Sequence, residues 1–214
     1  ISALGEAESP ALIDEKLIWK QSDTASAYSK SKFHGEMEVW RGIHEGLNTV
    51  IVNPSLIIGP GMWLGPGRHI LSGVKKGLKY YPSGSSGYVD VRDVARAMVL
   101  LTEGPHSGER FIINAENISH RHYLDLIADA LDKPRPTRVI SPLLQEMAIN
   151  FEFLRKAITG LSPRINRQTL RIASENLAYS NDKVREATGI SFISVKESVN
   201  TAISLYLKEP DMAL

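Results

Sequence analysis

The chain has 214 residues, of which 43% are hydrophobic and 23% charged, as in a globular protein with a substantial core. Its formal net charge is only +1 and its basic residues are interspersed, which excludes the usual electrostatic signature of nucleic-acid binding. The absence of cysteine excludes disulfides and thiolate metal sites, and a cytoplasmic location is expected. No apolar run reaches the length of a membrane span, so we expect no membrane partner.

The first predicted elements are a helix and a buried strand. Thr24 or Ser26 can cap a helix start, and apolar residues recur at helical spacing over residues 33–47. The helix is therefore expected to end near Gly46. The run "TVIVNP" that follows, stopped by Pro54, is typical of a strand buried on both faces in a parallel sheet.

Strands and helices alternate along the next part of the chain. Residues 59–67 form a glycine- and proline-rich loop. The segment "YVDVRDVARAMVLL" predicts a short strand and a helix capped by Asp90 and Asp93, and "ERFIINA" predicts another buried strand. Ser119 caps a further helix, and the pattern as a whole predicts an α/β fold with a more helical tail. The helices of that tail are predicted near 142–158, 182–188 and 194–207.

Tyr28 and Lys32 are the strongest candidates for chemistry. Residues four apart on a helix lie on the same face, so both side chains can point into one cleft. A free tyrosine has a pKa of about 10, and a neighbouring ammonium lowers it, which suits acid–base work near neutral pH. The pair therefore predicts proton transfer to or from an oxygen while a hydride moves.

A second pair, Tyr179 and Lys183, has the same spacing and serves as a comparison. The intervening residues Ser-Asn-Asp are typical of a helix start. Tyr179 is thus expected before the helix and Lys183 inside it, so these two side chains should not share a helix face.

Three other residues are weighed as candidates for binding. His120 and His122 are two apart on a predicted helix and cannot face one ligand, so they predict a solvated helix start and no metal site. Trp63, in the loop beside the predicted site, is a candidate for lining a substrate pocket.

Five segments in the same order resemble the extended short-chain dehydrogenase/reductase family, the NAD-dependent epimerase/dehydratase group. They are "YSKSKFHGEMEVWR", "TVIVNPSLIIGPG", "YVDVRDVARAMVLL", "GERFIINAENIS" and "LAYSNDKVREATGISFISVKESVNTAISLYL". The segment "NPSLIIGPG" is more similar to the dihydroflavonol-reductase-like branch than to the sugar-nucleotide epimerases.

The resemblance implies roles for particular residues. Tyr28 matches the family's catalytic acid/base, and Lys32 matches the lysine that binds the nicotinamide ribose and lowers the pKa of the tyrosine. The segment whose backbone lies against the nicotinamide end of an NAD or NADP cofactor matches Pro54, Ser55, Leu56 and Ile57.

The resemblance also implies the C-terminal portion of a Rossmann-type doubly wound parallel sheet with a smaller, mostly helical substrate-binding region. Residues 1–58 and 88–115 match the remainder of the dinucleotide-binding domain, and residues 59–87 and 116–214 match the substrate-binding region.

Two features of the family are missing from the chain. The Gly-rich fingerprint that sets the pyrophosphate on a helix N-terminus is absent, and the chain opens on Ile1. We therefore expect an N-terminally truncated chain that binds the dinucleotide poorly by itself. The Ser or Thr that partners the tyrosine would fall at or just before Ile1. Ser2 is a nearby substitute that stays outside the predicted site.

These expectations predict an NAD(P)-dependent oxidoreductase that transfers a hydride between its cofactor and a ketone, aldehyde or alcohol, with Tyr28 as acid/base. A sugar-nucleotide epimerase or dehydratase is the alternative within the family, and net consumption of NAD(P)H separates the two. A non-catalytic binding module is the alternative from another class. The helix that matches residues 26–46 packs across a dimer interface in many members of the family, so the resemblance is compatible with a homodimer, although the reductase-like branch often does without it.

Overall fold

The computed structural model describes residues 1–5, 11–20, 25–61, 67–161 and 167–208. Over these ranges the chain alternates short strands with helices of seven to eighteen residues. The strands are β1 (Ala11–Ile13), β2 (Val50–Pro54), β3 (Leu56–Ile58), β4 (Tyr80–Tyr81), β5 (Ser85–Asp90), β6 (Glu109–Ile113), β7 (Glu116–Ser119), β8 (Arg138–Val139) and β9 (Leu177–Tyr179). The helices are α1 (Ala27–His44), α2 (Gly67–Lys75), α3 (Val91–Glu103), α4 (His120–Ala130), α5 (Pro142–Thr159), α6 (Arg167–Ser174), α7 (Asp182–Thr188) and α8 (Val195–Lys208).

The strands β2 and β6 form a parallel pair in register from Val50 with Glu109 to Pro54 with Ile113. The apolar end of β6 is fully buried against α3 and α7, as the run "FIINA" predicts. Strand β2 keeps partial exposure at alternate residues, so its burial on both faces is less complete than its apolar sequence predicts. This pair places the start of the "NPSL" segment at the carboxyl end of a parallel strand.

A second sheet contains β3, β5 and β7. Strand β5 pairs parallel with β3 and antiparallel with β7. Its buried Tyr88 packs with residues of α4 and α8 such as Ile127 and Ile203 in the largest hydrophobic cluster. The antiparallel β7 and the three-residue strands β1, β3 and β9 are not predicted from the sequence, because strands this short do not show a full hydrophobic period.

The predicted helix caps are largely confirmed. The side chains of Ser26, Asp90 and Ser119 each accept a hydrogen bond from a backbone N–H of the first helical turn. The prediction for Asp93 is wrong: its carboxylate accepts from the backbone N–H of Ile193 at 2.7 Å and pairs with Arg96. Asp93 therefore fastens α3 to the loop before α8 and does not cap a helix.

Helices α5, α7 and α8 confirm the three helices predicted for the tail. Helix α5 has an unusual orientation, because many of its apolar side chains face solvent while Glu152 and Arg155 form an ion pair on its inner side. Its exposed apolar residues are Leu143, Met147, Phe151, Phe153, Leu154 and Ile158. In the described part of the chain no helix is both long enough and apolar enough to cross a membrane. Trp63 lies outside the described residues.

Candidate active site

A cleft of about 560 Å³ lies where the start of α1, the β2–β3 junction, β5, the start of α4 and α6 meet. Its walls include Ser2, Tyr28, Leu56, His120 and Thr169, which come from widely separated parts of the sequence. A cavity of about 600 Å³ lies elsewhere beside α1 and is lined by neither Tyr28 nor Lys32, whereas Tyr28, though not Lys32, lines the 560 Å³ cleft. We therefore take the 560 Å³ cleft as the candidate site.

Tyr28 and Lys32 share one face of α1, as their spacing predicts. Ser26 caps the helix, accepting from the backbone N–H of Ser29 at 2.8 Å, and this fixes where the first turn begins. Tyr28 lines the cleft and is 62% exposed. The Nζ of Lys32 lies 5.6 Å from the centroid of the Tyr28 ring. The phenol is thus open to a ligand, with an ammonium beside it.

The second pair is separated, as predicted. Tyr179 is the last residue of β9 and Lys183 belongs to α7. The Nζ of Lys183 donates to the carbonyl oxygen of Arg110 at 3.0 Å and pairs with Glu109 at 2.9 Å. Sequence reasoning did not anticipate that Tyr179 also lines the cleft. Burial, with a smaller contribution from Glu175, raises the pKa of Tyr179 to about 12, so this phenol stays protonated.

The segment Pro54–Ser55–Leu56–Ile57 follows the carboxyl end of β2. The backbone nitrogen of Ile1 donates to the carbonyl oxygen of Pro54 at 2.9 Å, which brings Ser2 to the same place. Leu56 and Ile57 are each 44% exposed, and Leu56 lines the cleft next to Tyr28. The buried Oγ of Ser55 has no hydrogen-bond partner among the described residues. Open α/β sheets bind ligands at the carboxyl ends of their strands, where this segment lies.

Glu36 is a structural residue of α1 that sequence reasoning missed, and it lines the separate 600 Å³ cavity. It follows Tyr28 and Lys32 at the same four-residue spacing on α1 but is only 8% exposed. Its carboxylate accepts from Asn53 Nδ2 at 2.9 Å, Trp40 Nε1 at 3.2 Å and an Arg110 guanidinium nitrogen at 3.3 Å. These bonds join α1 to β2 and β6. The repeated four-residue spacing of Tyr28, Lys32 and Glu36 along α1 is the sequence signal that could have identified Glu36.

The prediction that His120 belongs to a merely solvated helix start is wrong. Its Nδ1 lies 2.8 Å from the hydroxyl of the buried Tyr88, and the imidazole lines the cleft. Burial lowers the pKa of His120, so the imidazole is neutral near pH 7. His122, two residues further along α4, is exposed. Within the described ranges no group of three or more His, Cys, Asp or Glu side chains could hold a metal ion.

Comparison with known proteins gives relatives over most of the chain. A Synechocystis protein provisionally named dihydroflavonol 4-reductase is 26% identical over 212 residues, which is 95% of this chain and 61% of that protein. Cinnamoyl-CoA reductase 1 of Arabidopsis thaliana is 32% identical over 138 residues, which is 60% of this chain and 40% of that protein. The chain thus spans less than two thirds of the length of these curated relatives.

Solved structures share the fold. The crystal structure of gox2253 matches 97% of this chain and 64% of its own at a TM-score of 0.78 and 25% identity. The structure of RMD from Pseudomonas aeruginosa, complexed with NADPH, matches 95% of this chain and 62% of its own at a TM-score of 0.64 and 21% identity. The family model described as "NAD dependent epimerase/dehydratase family" matches residues 2–115, more than half of the chain. The chain therefore belongs to the NAD-dependent epimerase/dehydratase family.

Proposed function

We propose that this chain carries the proton-transfer and substrate-binding part of an NAD(P)-dependent oxidoreductase that acts on a small ketone, aldehyde or alcohol. The observation that carries the proposal is the position of Tyr28, exposed in a cleft at the carboxyl end of β2 with the Lys32 ammonium beside its ring. A binding module without turnover has no need of such a pair. The family to which the chain belongs and the reductase names of its relatives support the same activity.

The residues present fit the nicotinamide end of a dinucleotide. The exposed Leu56, which lines the cleft, provides an apolar surface for a flat ring, and the Oγ of Ser55 is a buried hydroxyl without a partner in the described chain. Pro54, Ser55, Leu56 and Ile57 would hold that end of the cofactor, and Lys32 would bind its ribose. NADPH and NAD⁺ in the solved relatives support either dinucleotide as cofactor.

When bound, the dinucleotide supplies a hydride to a carbonyl carbon or accepts one from an alcohol carbon. In reduction, the Tyr28 hydroxyl donates its proton to the carbonyl oxygen as the new C–H bond forms, and the phenolate recovers a proton from solvent. In oxidation the phenolate removes the proton from the alcohol oxygen. The Lys32 ammonium, 5.6 Å from the centroid of the Tyr28 ring, would hold the nicotinamide ribose next to that hydroxyl.

The same proposal assigns each part of the chain to one of two regions. Residues 1–58 and 88–115 would belong to the dinucleotide-binding domain, and residues 59–87 and 116–214 to the substrate-binding region. Support comes from the cleft, to which the first set contributes Tyr28 and Leu56 while the second contributes His120 and Thr169. The cleft therefore lies between the two sets.

The charge of the cleft favours a reductase of neutral compounds over a sugar-nucleotide epimerase. Among the described residues that line it, Glu175 carries the only formal charge, and there is no Lys or Arg. A nucleotide diphosphate is recognised by arginine and lysine, and a carboxylate would repel it. We therefore propose a neutral carbonyl compound or alcohol as the substrate.

The test uses the protein extended upstream to its natural start, with NADH and NADPH and a panel of aldehydes and ketones. We expect Tyr28→Phe to lower kcat by about 10²–10⁴-fold while dinucleotide affinity is unchanged. Lys32→Met should lower kcat and also weaken dinucleotide binding. Lys30→Met, which removes the same charge from another face of α1, should leave kcat and dinucleotide affinity unchanged. Turnover retained in Tyr28→Phe would overturn the assignment of Tyr28. Inactivity toward all carbonyls and sugar nucleotides would favour a binding module.

The oligomeric state and location are part of the same proposal. A homodimer would pack helix 26–46 across its interface, and light scattering of the extended protein should then give twice the chain mass. A monomer would match the reductase-like branch. A cytoplasmic location agrees with the absence of cysteine, and cell fractionation would test it.

A further inference from the structure

The hydrogen bond between His120 and Tyr88 defines which imidazole nitrogen carries the hydrogen. Tyr88 is 2% exposed, and among the described residues His120 is the only hydrogen-bond partner of its hydroxyl. Burial raises the pKa of Tyr88 well above its usual range, so the phenol keeps its proton. A buried hydroxyl that only accepted a bond would leave its own hydrogen without a partner, which costs about 1–3 kcal/mol. The Tyr88 hydroxyl therefore donates to Nδ1.

This direction fixes the tautomer of the ring. A neutral imidazole has one donor nitrogen and one acceptor nitrogen, so an accepting Nδ1 leaves the hydrogen on Nε2. Nε2 lies on the edge of the ring away from Nδ1, and the ring lines the cleft. No described residue forms a hydrogen bond with Nε2. The result is an oriented N–H donor on the wall of the cleft, held in place by a phenol that is buried beneath it.

We propose that His120 is a substrate-binding residue whose Nε2–H donates to a second oxygen of the substrate, distinct from the oxygen that Tyr28 protonates. The inference rests on the proposed reductase function and narrows its substrate class. Because the described lining has no cation, the preferred substrate is a neutral carbonyl compound that also carries a hydroxyl, ether or second carbonyl oxygen. Tyr88 is then a positioning residue that sets the tautomer of His120.

The first experiment reads the tautomer without turnover. Long-range ¹H–¹⁵N spectra of the extended protein at pH 7.5 distinguish Nδ1–H from Nε2–H imidazoles, and His120→Gln assigns the signal. We expect the Nε2–H form for His120 and a mixture of tautomers in Tyr88→Phe, which keeps the volume of the core residue. The Nε2 signal should shift on titration with 4-hydroxycyclohexanone and not with cyclohexanone. An Nδ1–H tautomer, or no response to the hydroxylated ketone, would overturn the proposal.

The second experiment compares substrates that differ by one oxygen, such as benzaldehyde with 4-hydroxybenzaldehyde and cyclohexanone with its 4-hydroxy derivative. We expect kcat/KM to favour the hydroxylated member, and His120→Leu to reduce that preference at least tenfold. His120→Gln, which keeps an N–H donor at similar reach, should restore part of it. His122→Leu, on the exposed face of α4, should leave the preference unchanged. A preference that survives in His120→Leu would contradict the proposal.

The two experiments separate this inference from the proposed function. If Tyr28→Phe retains turnover, the assignment of Tyr28 as acid/base is wrong. The tautomer of His120 and its response to hydroxylated ketones still test the role of His120 in that case. If Tyr28→Phe is inactive and His120→Leu keeps the substrate preference, the reductase proposal stands and the His120 proposal fails.

Discussion

Glu36 of α1 accepts a hydrogen bond from the side-chain amide of Asn53, the residue of β2 that precedes Pro54, at 2.9 Å. Glu36 lies two turns beyond Tyr28 on the same face of the helix. The bond therefore ties the helix that carries Tyr28 to strand β2, which leads directly into the segment whose Leu56 lines the cleft. It helps to hold α1, and with it Tyr28, in position relative to β2.

Replacing Glu36 should disturb both stability and catalysis. Glu36→Ala leaves the buried amide of Asn53 and the Trp40 indole without their acceptor, so we expect a loss of about 2–4 kcal/mol in the free energy of unfolding. In the extended protein kcat should fall more than KM rises, because Tyr28 would be misplaced. Glu36→Gln keeps an acceptor for Asn53 and should cost only about 1 kcal/mol. Urea unfolding with steady-state kinetics tests this, and equal losses in the two variants would contradict it.

The two Tyr-Lys pairs should respond differently to loss of the lysine. Lys183 is bound to Glu109 and to the Arg110 carbonyl oxygen and lies 4.4 Å from the centroid of the Phe111 ring. Lys183→Met should therefore lower the free energy of unfolding by about 1 kcal/mol without changing turnover. Lys32→Met should show the opposite, with stability preserved and turnover reduced. Loss of activity in Lys183→Met would argue against Tyr28 and Lys32 as the pair that carries the chemistry.

Gly84 is a position where a methyl group should deform the cleft. A Cβ atom there would lie 2.3 Å from the carbonyl oxygen of Glu175 and 2.6 Å from that of Ala173, on a wall of the cleft. We expect Gly84→Ala to cost about 1–3 kcal/mol and to change KM, because backbone must move away from the strand. Gly73→Ala is the control. Its Cβ would meet only Leu78 at ordinary contact distance, so the variant should gain about 0.5–1 kcal/mol.

Asp90 should make stability depend on pH in the acid range. Burial alone would raise the pKa of its carboxyl, but hydrogen bonds from Arg92 and Ser198 outweigh burial and hold it below the usual value. The ionised form is therefore favoured by folding. The resulting stability is present above the unfolded pKa of about 3.9 and is lost as pH falls through the lower folded pKa.

The variant Asp90→Asn isolates this effect, since asparagine still caps α3 but cannot pair with Arg92. Near pH 7 it should unfold about 1–2 kcal/mol more easily than the parent chain, and the difference should shrink below pH 4. Asp129→Asn removes an exposed pair with Arg135 and should leave the unfolding curve nearly unchanged. A difference that stays constant from pH 7 to pH 3 would refute the linkage.

The local parts of the fold were predictable because their signals lie within a few residues. The cap at Ser26 and the periodicity after it specify α1, and the run of turn residues after Tyr179 separates it from Lys183. Strands of three residues were missed, since they form by pairing with distant segments. Strand β1, for example, pairs with β9, more than 160 residues away along the chain. The eight-residue α6 was missed because it is too short and too polar to show a hydrophobic period.

The site was predictable where its residues share one element and hidden where they do not. Tyr28 and Lys32 are one turn apart, so a spacing rule finds them. The role of His120 depends on Tyr88, 32 residues earlier, and that of Glu36 on Asn53, 17 residues later. No local pattern records such pairings, because the backbone brings the partners together only after folding.

The outward-facing apolar residues of α5 have a consequence for how the cleft behaves. Helix α6, which forms one wall of the cleft, has no buried residue and is joined to α5 by the polar pairs Glu146–Arg167 and Gln145–Ser174. Little hydrophobic burial holds this wall, whereas Phe111, Ile112 and Ile113 of β6 are fully buried. Amide hydrogens of α5 and α6 should therefore exchange with solvent long before those of β6. A wall that yields more readily than the buried sheet would let the cleft beside Tyr28 admit substrates of several sizes.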